Sequence, residues 1–134
     1  HLRLPGLDWF PEAEVIQDEE CVAILAAPPA DVVLSHDAPF GVPTLFTAYQ
    51  QDRPAEARTS SWPTAALIAS DAHQRRLATL VERLRPRVLV HGHHHHRYDD
   101  RWSHEHGVTR VHGLGCDPGA GDDYLLIDLS TDWI

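Results

Sequence analysis

Five imidazoles in six positions, His91-Gly92-His93-His94-His95-His96, form the densest concentration of reactive side chains in the sequence. Neutral imidazole is the commonest protein ligand for zinc and related first-row ions. A further histidine, His36, stands in Ser35-His36-Asp37-Ala38-Pro39, about fifty-five residues upstream. If the backbone of the run is extended, its side chains alternate, with His93 and His95 on one side and His94 and His96 on the other. One pair can then face a site, and His36 can bring a third imidazole to it. Gly92, having no Cβ, is expected to let the chain turn and to let other ligands come close. The competing explanations for such a run are an affinity-tag relic or a solvated loop. Its internal position, directly behind an apolar run, weighs against the tag.

The elements that must position these groups follow from periodicity. Val32-Val33-Leu34 and Arg87-Val88-Leu89-Val90 are compact apolar runs that end in polar loops, the pattern of buried strands. Each set of histidines therefore sits just past the carboxyl end of a strand. Between them, Leu77, Leu80, Val81 and Leu84 fall on one helical face, so the spacing predicts a helix over 63–85, with Pro63 in its first turn and Pro86 at its end. Residues 40–61, broken by Gly41, Pro43, Asp52 and Pro54, read as a long loop of the kind that forms lids or binding segments. Phe40, Phe46, Tyr49 and Arg53 are its candidates for selectivity. A short helix is expected at 18–27, opened by Asp18-Glu19-Glu20 and stopped by Pro28-Pro29. Strands are expected at 109–114 and 124–129, and residues 1–12 read as an irregular segment pinned by Trp9 and Phe10. The fold class is α/β, a layered β-sheet with flanking helices.

Composition narrows the function. Twenty Asp plus Glu against eleven Lys plus Arg give a formal net charge of −9 on 134 residues. Such a surplus repels phosphate backbones and anionic lipid, so a broad basic face for nucleic acid or membrane is not expected. No apolar run approaches the roughly 20 residues that a membrane helix needs. Cys21 and Cys116 are too few and too far apart for a disulfide scaffold, which together with the lack of a secretory start leads to an expected cytoplasmic location. Cys116 reads as a small buried filler. His104, Glu105, His106 and His112 have no diagnostic metal spacing and read as surface loop residues. The chain is one domain, 1–134, and its opening on His1 suggests part of a longer one.

Ser35-His36-Asp37-Ala38-Pro39 and Gly92-His93-His94-His95, each behind an apolar strand, together resemble the carboxyl half of the calcineurin-like metallophosphoesterases. In that family a late strand ends in a lone metal-binding His and the next ends in G-H-x-H. The resemblance implies the C-terminal half of a metallophosphoesterase-type α/β sandwich. It makes His36 and His93 ligands of one metal and His95 a ligand of the other, with two divalent ions (Mn, Fe or Zn) as cofactors. His94 occupies the variable middle position, where it either approaches substrate or faces solvent. Asp37 is either a partner that orients a ligand imidazole or a loop-capping residue. The implied activity is hydrolysis of phosphate mono- or diesters at a dinuclear site, where metals acidify water and neutralise phosphoryl charge. That would also reconcile an acidic chain with a phosphate-bearing substrate. The family's earlier signatures, D-x-H, G-D-x-x-D and G-N-H, which carry the remaining ligands and the catalytic histidine, do not occur in these residues; Asp8 precedes Trp9 and Phe10. The catalytic residues are therefore expected in a missing N-terminal half, and the fragment alone is expected to be inactive. The alternative is a non-catalytic metal-binding or interaction module, a degenerate relative.

Overall fold

The structure, a computed structural model, describes residues 15–59, 61–116 and 124–128. The segment at 1–12 and Leu129 lie outside the described residues. Helix α1 spans Asp18–Ala26, its three acidic first-turn residues suiting the helix dipole and the Glu20 carboxylate accepting the Gln17 N–H at 2.8 Å. Strand β1 follows at Val32–Ser35, then a short helix α2 at Pro43–Ala48, a 3-10 turn at Ala55–Ala57 and the long helix α3 at Thr64–Leu84. Strands β2 (Val88–His91), β3 (Tyr98–His104) and β4 (Gly107–Gly113) complete the order.

The four strands form one mixed sheet in the order β1-β2-β4-β3, with β1, β2 and β4 parallel and β3 antiparallel to β4. The register sets Ser35 beside His91 and His91 beside Gly113, so the carboxyl ends of the three parallel strands lie level. One sheet face carries Leu89, Val111, Tyr98 and Trp102 into a core with Val42, Leu45, Leu77 and Val81. The helical stripe foreseen in α3 supplies Leu77, Leu80 and Val81 to the interior. The helix begins one residue later than expected, because Pro63 is its cap rather than part of its first turn. It ends at Arg85, which adopts a left-handed conformation (φ 54°, ψ 49°) and donates its N–H to the Val81 carbonyl. Pro86 bars any continuation.

Several expectations are corrected. The 40–61 segment is not a bare loop: α2 forms within it because Leu45 buries completely against the core and the Thr44 N–H meets the Asp100 carboxylate at 2.7 Å. Strand β1 is an edge strand rather than a fully buried one, and Leu34 is 77% exposed. Residues 124–128 form no strand, with Tyr124 and Leu126 exposed. Cys116 is exposed, not a core filler. The unforeseen strand β3 pairs with β4 through a two-residue turn at Glu105-His106, and Gly107 supplies the positive φ (140°) that re-enters the sheet. His104 ends β3, where its ring hydrogen-bonds Thr109, and His112 lies within β4 against Asp99. Among the described residues no helix is long and apolar enough to cross a membrane.

Candidate metal centre

The two histidine loops leave the neighbouring ends of β1 and β2 and are tied to each other by the Gly92 N–H, which donates to the His36 carbonyl at 3.2 Å. Their side chains meet. His93 Nδ1 and His36 Nε2 lie 3.0 Å apart, with the rings edge to face at 4.8 Å between centroids. A hydrogen-bonded imidazole pair has that spacing, and so do two adjacent ligands of an ion about 2.1 Å from each nitrogen. Burial lowers the His93 pKa from its ordinary value of 6.5, as do the neighbouring charges of His94, His36 and His95, while Asp37 opposes the shift. The shift favours the neutral imidazole, the state that metal binding requires.

The run is not extended, so the simple alternation of its side chains does not hold. His93 and His95 both have positive φ (61° and 52°), a conformation that costs a residue with a Cβ roughly 1–2 kcal/mol. Gly92 has no part in this: a Cβ placed on it meets nothing within 4 Å, and its φ is not left-handed. The turn expected of the glycine is made by the histidines. His95 is exposed and reaches the pair as a neighbouring charge on His93. Among the described residues no group of three His, Cys, Asp or Glu side chains is arranged to hold a metal. The nitrogen donors on His36 and His93 suit a first-row divalent ion, and they form a two-donor set.

Asp37 and His94 form the buried side of the site. The His94 Nε2–H donates to Asp37 Oδ1 at 2.9 Å, and the same oxygen accepts the Ala38 N–H at 2.7 Å. Gln74 of α3 donates to both carboxylate oxygens at 3.2 and 3.3 Å, and Gln51 donates to Gln74 at 2.7 Å. Burial pushes the Asp37 carboxyl up, but the His94 hydrogen bond, the charges of His93 and His94 and the Ala38 N–H together outweigh it and hold it below the ordinary range. Asp37 caps its own loop and holds an imidazole, though not that of a ligand foreseen from the sequence. That imidazole is His94, in the middle of the motif, and not His36 or His93. His94 is turned inward, its side chain only 10% exposed.

Sequence reasoning gave His91 no part, yet it underlies the loop. It is 1% exposed, its Nδ1–H donates to the Gly92 carbonyl at 3.0 Å, and its Nε2 accepts the Tyr98 hydroxyl. Burial, reinforced by the charges of His94 and His93, lowers its pKa to about 4. The signal for Tyr98 was present in Tyr98 and Trp102, four residues apart with polar residues between them, a spacing that fits one face of a strand or of a helix. Compared with known protein families, curated proteins and solved structures, the chain matches none.

Proposed function

We propose that this chain supplies the histidine side of a metal-dependent hydrolase of phosphate mono- or diesters with a dinuclear centre. The observation that carries the reading is the meeting of His36 Nε2 and His93 Nδ1 at 3.0 Å, from the ends of two adjacent parallel strands. In this reading those two nitrogens hold one ion and His95 holds the other, while the upstream half brings the remaining ligands and the catalytic residues. Bound divalent ions supply a nucleophilic water at neutral pH and offset the charge on the phosphoryl oxygens. The chain's own residues do the positioning: Asp37 fixes His94, and buried His91 anchors the start of the loop.

The finer fold reading, half of a metallophosphoesterase-type α/β sandwich, has support in the apolar second face of the sheet, where Val88 and Val90 are buried at the centre and apolar residues are exposed at the margin. The runs Val32-Val33-Leu34 and Val88-Leu89-Val90 are apolar on both faces, as in parallel sheets covered on both sides. Leu34 and Val108 nevertheless remain 77% and 47% exposed. A second reading, a non-catalytic module, is favoured by the two-donor set, which falls short of the three or four ligands of a stable metal site. Cleavage of an aryl phosphate by the full-length protein in Mn²⁺ separates the two. Hydrolysis that falls at least a hundredfold in His93→Ala supports the hydrolase, and equal rates in the two proteins remove His93 from the mechanism. The 134 residues alone are expected to show little turnover.

A further inference from the structure

The geometry points to Tyr49 as a specificity-determining residue that selects phosphate esters bearing a flat aromatic group, an aryl or nucleobase moiety; the inference rests on the phosphoester site proposed above. Tyr49 caps α2, and its ring leans against His94 at 5.1 Å between centroids with a 42° tilt. His94 in turn meets His93 edge to face at 5.1 Å, and His93 meets His36 at 4.8 Å. The four rings form a continuous series of contacts that runs from the exposed pair through the inward-turned His94 to Tyr49. Tyr49 is 47% exposed, so part of its side chain meets solvent beside the site.

The series is fixed on both sides. His94 is tethered by Asp37, and the chain after Tyr49 turns at once through Gln50 in a left-handed conformation (φ 53°). Gln51 then dives into the interior, hydrogen-bonded to Gln74 and through it to Asp37. The same carboxylate that orients His94 thus anchors the segment that presents Tyr49. Phe46 and Arg53, also foreseen for selectivity, line an open concavity of about 390 Å³ with Thr47, Gln50 and Asp52, to which Tyr49 does not contribute. Phe40, also foreseen as a selectivity residue, serves a different purpose, since the Arg75 guanidinium lies 3.7 Å over its ring and Phe46 stacks on its edge.

Offset stacking on an exposed aromatic ring makes a modest, geometry-dependent contribution, on the order of three- to tenfold in affinity. The test uses the full-length protein in Mn²⁺ and compares wild type, Tyr49→Phe and Tyr49→Leu on phenyl phosphate and on glycerol 2-phosphate. Expected is a KM for phenyl phosphate raised about three- to tenfold in Tyr49→Leu, with kcat and the glycerol phosphate KM unchanged, and wild-type preference in Tyr49→Phe. Equal changes for both esters, or none, overturn the inference. Calorimetric titration with phenylphosphonate and methylphosphonate, neither of which can be hydrolysed at its P–C bond by this chemistry, reads the preference without turnover. Preferential binding of the phenyl compound that is lost in Tyr49→Leu, in a protein that cleaves neither ester, would sink the hydrolase reading and leave aromatic recognition standing. Equal binding of the two phosphonates by wild type overturns the inference whatever the protein hydrolyses.

Discussion

Replacing Gly113 by Ala tests whether the floor of the histidine loop is as tightly built as the structure requires. Gly113 pairs with His91 on one side and with Tyr98 on the other, and the Tyr98 ring packs directly against it. A Cβ at this position overlaps Tyr98 Cε1 and Cδ1 and comes within 3.0 Å of Cζ. The backbone at Gly113 is not left-handed, so the whole penalty is steric. The ring is 8% exposed and bounded by the core, which leaves it little room to move away. Overpacking of this kind costs about 1–3 kcal/mol. If the ring swings aside, the buried hydrogen bond between Tyr98 and His91 is also lost, adding about 1–3 kcal/mol. The two routes are partly alternative, so the expected loss is about 2–4 kcal/mol, or a fall in Tm of roughly 8–15 °C for a domain of this size. Urea unfolding of wild type, Gly113→Ala, Tyr98→Leu and the double variant measures it. Removing the ring should relieve the clash, so the double variant should be more stable than the summed single effects by about 1–3 kcal/mol. A loss below about 0.5 kcal/mol in Gly113→Ala, or strict additivity, would refute the packing argument.

Two further outcomes follow from the same elements. The folded-state pKa of His91, about 4, lies below its ordinary value of 6.5, so the unfolded chain takes up the extra proton between these values. Its contribution is therefore intact above pH 6.5 and declines toward pH 4, by about 3 kcal/mol in total. Urea midpoints between pH 7.5 and 4 should fall more steeply in wild type than in His91→Gln, and parallel curves would rule out burial of a neutral His91 as the cause. Arg85 closes α3 in a left-handed conformation without being glycine. Arg85→Gly should raise stability by about 0.5–1 kcal/mol, and a decrease in the thermal midpoint would show that the arginine side chain contributes more than the backbone strain it carries.

The elements that depend on local spacing were legible without coordinates. Leu77, Leu80 and Val81 mark the buried stripe of α3, Pro63 and Pro86 bracket it, and the apolar runs before His36 and His91 mark strands. Chain order therefore placed each histidine group at the carboxyl end of a strand, while the parallel pairing that sets the two ends side by side belongs to the sheet. Strand β3 was hidden because it is a polar edge strand with only Tyr98 and Trp102 facing the core. Helix α2 was hidden because six residues between turn-forming positions bear too few apolar side chains to reveal a period.

What the sequence determined by itself is which groups can ligate and which strand ends carry them, since residue type and hydrophobic period are properties of neighbours along the chain. The tertiary structure alone decided which imidazoles meet. His93 and His95 take left-handed backbone conformations that an extended reading cannot contain, and these turn His93 toward His36. Asp37 chose His94 because both are brought into the same low-dielectric space beside Gln74, where a buried carboxylate needs donors from elements far apart in the chain. Such choices depend on residue pairs more than fifty positions apart, and no local pattern records them.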